Sequence, residues 1–131
     1  MNNKTVQNWL NLAQYDIDTA KIMLDSNRYL YVCFMSQQAI EKILKAIYVK
    51  EIGETPPYTH NLNRLIERLS VKGEFDPEKH EFIDILNSFY IESRYTEEID
   101  EINEFLTKEK AVEVYNKTLE LFQWLKSKLK I

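Results

Sequence analysis

Along most of the chain, apolar residues recur every three or four positions, the spacing of helices that bury one face. Val6, Trp9, Leu10, Ala13, Ile17, Ala20 and Leu24 share such a face and predict a first helix from about Thr5 to Leu24. The next segment, Tyr29 to Lys50, has a different pattern. Its first seven residues, Tyr29-Leu30-Tyr31-Val32-Cys33-Phe34-Met35, are apolar on every side, and its second half carries a polar strip at Gln38, Glu41, Lys42 and Lys45. That pattern predicts a central helix, enclosed at its start and half-exposed beyond, whose apolar run is too short to span a bilayer. Asp25-Ser26-Asn27-Arg28 joins the two segments, with Asn27 placed to cap the second. So short a link makes them antiparallel neighbours.

After Lys50, Gly53 suits a left-handed helix cap, and Pro56 and Pro57 forbid helical continuation. Thr59-His60-Asn61 leads into a short helix carrying Leu62, Leu65, Ile66 and Leu69, with Thr59 or Asn61 as its cap. Val71 to Asp76 reads as a loop, and Asp76-Pro77 as the N-cap and first position of a further helix. That helix bears Phe82, Ile83, Leu86, Phe89 and Tyr90 and frays near Ser93-Arg94-Tyr95. The acidic run Glu97, Glu98, Asp100, Glu101, Glu104 reads as a solvated loop or loose turn. A last helix starts after Thr107 and continues to about Lys130, with Ala111, Val114, Tyr115, Thr118, Phe122, Leu125 and Leu129 as its core stripe. Val112, Leu119, Leu121 and Trp124 exceed what one stripe needs and form a candidate partner surface. The expected fold is all-α, an antiparallel up-and-down four-helix bundle with a short extra helix between the second and third long helices. It forms one domain over residues 1–131.

Composition sharpens this at a few points. Two glycines and three prolines are too few for the turns of an all-β fold, and 44% hydrophobic residues supply a core without staples. A net charge of −4 argues against a broad nucleic-acid surface. Cys33, the one cysteine, reads as a buried structural thiol. The amino end, Met1 to Thr5, lacks an apolar signal region, which gives the expectation of a cytoplasmic protein. No metal-ligand spacing or glycine-rich phosphate loop occurs, so no metal or cofactor is expected. Asp16, between the small residues Ala13 and Ala20, is either a solvated edge carboxylate or is drawn inward and needs a partner. His60 reads as a hydrogen-bonded structural residue at its corner.

The motifs Ala13-x-x-Asp16-x-x-x-Ala20, Phe34-x-x-Gln37-Gln38-Ala39-x-Glu41-Lys42-x-x-Lys45-Ala46, Thr59-His60-x-Leu62-x-x-Leu65 and Tyr90-x-x-Ser93-Arg94-Tyr95 occur in this order over nearly the whole chain. In them the chain resembles the HEPN domain family of helical nucleotide-binding domains. The resemblance implies an antiparallel helical bundle that homodimerises. It also implies a module working beside a separately encoded minimal nucleotidyltransferase, with a nucleotide as its possible ligand. Another branch of the family comprises metal-independent ribonucleases, often toxins, that carry an Arg and a His separated by four to six residues. There His exchanges the proton of a ribose 2′-hydroxyl and Arg stabilises charge on phosphate. This chain departs from that signature: after Arg94 the corresponding positions are Ile99, Asp100 and Glu101.

The expected activity is therefore that of a non-catalytic nucleotide-binding or interaction module. The alternatives are a ribonuclease with a relocated histidine and a free-standing nucleotide binder. The candidate ligand residues are Lys42, Lys45, Arg94 and Tyr95. Arg forks onto phosphate, Lys adds a point charge and Tyr stacks on a base. Against this stands an internal role, in which Arg94 pairs with a carboxylate such as Asp16 and the lysines are solvated or pair with Glu41.

Overall fold

The computed structural model describes residues 2–90 and 96–130. Six α-helices follow one another: α1 (Asn2–Asp25), α2 (Tyr29–Ile52), α3 (Leu62–Ile66), α4 (Pro77–Asn87), α5 (Thr96–Phe105) and α6 (Lys108–Leu129). A 3-10 turn, Ser70–Glu74, precedes α4. Four of the helices, α1, α2, α4 and α6, make the all-α antiparallel bundle, and α3 is the short extra helix between its second and third members. No helix among the described residues is long and apolar enough to cross a membrane.

Local chemistry sets most of the helix ends. Asn27 takes the left-handed conformation (φ 61°) that ends α1, with Asn27 N–H donating to the Leu24 carbonyl and Arg28 N–H to the Met23 carbonyl. This paired arrangement satisfies two carbonyls the helix would otherwise leave open. Asn27 is thus the terminator of α1 and not, as expected, the cap of α2, whose N-cap position is Arg28, without a side-chain cap bond. Gly53 closes α2 with φ 76°. Asn61 caps α3 by accepting from Asn63 N–H, and Thr59 Oγ1 accepts in turn from Asn61 N–H. Asp76 and Thr107 cap α4 and α6. Lys79 N–H, donating to Asp76, holds that carboxyl below its usual range.

Helix α2 runs through the middle and touches each of the others. Lys50 Nζ donates to the Leu129 carbonyl, so α2 and α6 end at the same pole and run in the same direction. Tyr90, just beyond α4, packs on Phe34 near the start of α2, so α4 runs opposite to α2. Along α2 the burial is the reverse of the expected gradient. Ser36, Gln37, Ala39 to Glu41 and Ile43 to Val49 are buried, whereas Tyr31 is 48% exposed and Tyr29, Leu30, Phe34 and Met35 are half-buried. In the apolar start only Val32 and Cys33 are buried, and its aromatic rings Tyr31 and Phe34 meet one another and Tyr90. Cys33 is buried, and desolvation pushes its thiol up to about 12.

The acidic run expected to be a loop is helix α5. Ile99 and Ile102 are half-buried, and Leu106, just past the helix end, packs on the core, while Glu97, Asp100, Glu101 and Glu104 are exposed. Three apolar positions at spacings of three and four outweigh the charge density. Glu97 and Glu98 also sit in the first turn, where carboxylates favour helix formation. The helix expected to reach Tyr90 ends at Asn87.

The burial gradient is measurable. Leu44→Ala, at a position with no exposure, lowers unfolding free energy by about 2–5 kcal/mol. Tyr31→Ala lowers it by about 1 kcal/mol or less. Urea denaturation of the two variants checks this, and equal losses contradict it.

Candidate functional site

Gln37, Glu41 and Lys45 follow one another at four-residue spacing and therefore stack on one face of α2. All three are buried, Glu41 to 2% exposure. Glu41 Oε2 accepts from Lys45 Nζ at 3.0 Å, and Glu41 Oε1 lies 2.8 Å from His60 Nδ1. An ionised carboxylate only accepts, so Nδ1 carries the proton and Nε2 is the ring nitrogen left for other chemistry. The His60 side chain is about one-third exposed. Gln37 Nε2 donates to the His60 carbonyl at 3.0 Å, and Gln38 Nε2 donates to Gln37 Oε1 at 2.7 Å. The loop after Pro56-Pro57 is thereby held against α2 through both the ring and the main chain of His60.

A second pair ties α1 to the same strip. Lys42 Nζ donates to Asp16 Oδ2 at 2.5 Å, between Ala13 and Ala20, whose small side chains are fully buried. Burial pushes the Asp16 carboxyl above its usual range, and the Glu41 charge adds to the rise. The hydrogen bond and charge of Lys42 oppose it. Lys45 Nζ also sits 5.4 Å from the Trp9 ring centroid, a cation–π contact that closes its other side. Asp16, Glu41, Lys42 and Lys45 balance as two carboxylates against two ammonium groups. Positive charge in excess of that balance must come from His60 or from residues beyond this set.

Next to the network runs a series of aromatic rings. Tyr31 meets Phe34 edge-on at 6.4 Å, Phe34 meets Tyr90 at 5.9 Å, and His60 stacks on Tyr90 at 4.1 Å with 16° between the ring planes. Tyr58 meets His60 at 5.8 Å. Tyr58 is 92% exposed and Tyr31 about half, so the series ends in solvent on both sides.

Of the residues singled out in the sequence, Asp16, Lys42, Lys45 and His60 are brought together. Asp16 is drawn inward, and Lys42 is its partner. Arg94 and Tyr95 lie outside the described residues. The surplus apolar residues of α6 do not form one surface. Leu121 is 5% exposed and belongs to the core, which corrects its assignment to a partner face. Trp124 is half-buried against Phe75, at 5.3 Å between ring centroids, with Lys79 and Lys128 over its ring. Leu119 lies between α1 and α6 beside Gln14 and Ile17, and Val112 is half-buried. The element missed in the sequence is Glu41 as the hub, together with the rings of Tyr58, Tyr90, Phe34 and Tyr31. The spacing of Gln37, Glu41 and Lys45 was visible; that His60 completes it was not, because the contact spans 19 residues.

The HEPN domain model matches residues 6–128. Among solved structures, the crystal structure of TT1696 from Thermus thermophilus is similar, with a TM-score of 0.79 and 22% identity. That similarity covers 98% of this chain and 99% of the other and shows the shared fold. A comparison with curated proteins gives no match.

Breaking the inner pair tests its geometry. Asp16→Asn removes the charge but keeps an oxygen that accepts from Lys42 Nζ, so it changes stability at neutral pH by about 1 kcal/mol or less. The folded-state value of Asp16 lies above its usual 3.8, so protons favour the fold. That contribution is fully present below 3.8 and is lost as pH rises through the raised value. The stability gap between wild type and Asp16→Asn therefore widens from neutral pH toward about pH 4. Urea denaturation across that range measures it, and a gap that narrows toward acid contradicts the burial of Asp16.

Proposed function

Since the chain belongs to the HEPN domain family, we propose that it is a non-catalytic nucleotide-binding and interaction module. It acts as a homodimer and works with a separately encoded minimal nucleotidyltransferase. The supporting observation is the stack of His60 on Tyr90, which joins the Glu41 network to an aromatic edge four positions before Arg94. Exposed Tyr58 offers a face on which a base can stack, a contact worth about 1–3 kcal/mol. Arg94 supplies a fork for phosphate, and Lys42, partly exposed, adds its charge by exchanging Asp16 for the ligand.

Calorimetry with common nucleoside triphosphates yields saturable heat. Tyr58→Ala weakens binding by about tenfold or more, in keeping with one lost stacking contact. Arg94→Ala and Lys42→Ala weaken it further. Sedimentation reads a dimer, and affinity purification recovers the nucleotidyltransferase. Absence of heat with every triphosphate, or a strictly monomeric chain without that partner, contradicts the proposal.

One observation favours a second reading, RNA cleavage with a relocated histidine. Glu41 orients His60 so that Nε2 is available, as a group that takes the proton of a ribose 2′-hydroxyl requires. Arg94 then stabilises the phosphate. On this reading RNA incubated with the pure protein in chelator is cut, and both His60→Ala and Arg94→Ala abolish cutting. Unchanged RNA removes this reading and leaves the binding module standing.

A further inference from the structure

Between α4 and α6 lies a groove of about 420 Å³ that shares no residue with the polar site on α2. Phe82, Leu121 and Trp124 form its apolar floor, and Ile85, 40% exposed, extends that floor to the surface. Its rim is acidic. Glu78 and Glu81 on α4 and Glu120 on α6 have no ion-pair partner among the described residues. The two lysines of the groove are otherwise engaged. Lys79 Nζ sits 4.8 Å from the Trp124 ring centroid and 3.5 Å from Asp76 Oδ2, and Lys117 Nζ lies 3.1 Å from Glu113 Oε1. Glu113 holds the Lys117 pKa up, desolvation opposes that, and the fields of Glu78 and Glu81 across the groove add smaller upward contributions.

We propose that this groove is the docking site for a cationic amphipathic helix of another protein. The partner's apolar face covers Ile85 and Trp124, and its lysines or arginines meet Glu78, Glu81 and Glu120. Helix-in-groove docking takes affinity from apolar anchors and specificity from complementary charge. The same charge pattern decides against the other occupants. Nucleic acid and anionic membranes are repelled by the rim. A second copy docking through the same face sets the acidic rim against itself. The lysines near the end of α6, at 126, 128 and 130, do not make that helix a partner either, because its apolar face, including Leu125 and Leu129, is spent in its own core. This inference does not depend on nucleotide binding.

The test uses the full chain and a synthetic leucine–lysine amphipathic peptide of about 15 residues, long enough to form a helix on binding. A matched leucine–glutamate peptide and spermine serve as controls. Amide chemical shifts are followed during titration. The lysine peptide gives saturable shifts centred on Ile85, Glu81, Lys117 and Trp124 that weaken as salt rises. The glutamate peptide gives none. Glu81→Lys with Glu120→Lys, both at exposed positions, weakens binding by roughly tenfold or more. Ile85→Ser weakens it independently of charge. The proposal is overturned by any of four outcomes: no saturable shifts, shifts centred elsewhere, equal binding of both peptides, or spermine reproducing the full effect. Self-association that disappears in the charge-reversed variant also overturns it, by assigning the face to a second copy.

Discussion

A carboxylate sealed inside the central helix is the constraint on which the rest of the structure depends. Burying Glu41 costs several kcal/mol unless its oxygens are matched by donors. Lys45, one turn along, matches one oxygen and His60 the other. The first partner comes at no topological cost, because positions four apart on a helix face each other. The second draws in a loop 19 residues away, and the loop brings the start of α3 with it. His60 then presents its ring face to Tyr90 just after α4. One buried charge thus fixes the relation between α2, the loop after it and the end of α4.

Much of this fold was legible because it is local. The faces of α1 and α6, the left-handed cap at Gly53, the Asp76-Pro77 start of α4 and the short α3 each follow from residues within one or two helical turns. The errors arose where neighbours outside that window decide the outcome. The all-apolar start of α2 suggested enclosure, yet charged Glu41 and Lys45 in its later half are buried while Tyr31 is exposed. In α5 the carboxylates masked three apolar positions that suffice to seat a short helix. Asn27 suits either a cap or a left-handed terminator, and the tight antiparallel return of α1 onto α2 selects the second.

The candidate site was legible in part. Asp16, Lys42, Lys45 and His60 were recognisable as residues that needed explaining, and the structure places them in one neighbourhood. Their pairing was not legible, because it depends on how α1 and the loop after α2 meet the central helix. A domain of this size has enough apolar residues to pack without such a network. Replacing buried ion pairs by apolar groups is often neutral or stabilising, so stability alone does not account for their presence. On the proposed reading, the network serves to poise a histidine and a ring edge for a ligand.

The most direct test is therefore to separate folding from binding by replacing the network as a unit. Glu41→Leu, Lys45→Met and His60→Phe together keep the volume and the ring stack on Tyr90 while removing the buried carboxylate and both groups that pair with it. The account predicts a protein whose stability to urea stays within about 1 kcal/mol of wild type and whose nucleotide affinity in calorimetry falls by about tenfold or more. A variant that loses several kcal/mol of stability, or one that folds and binds as before, contradicts it.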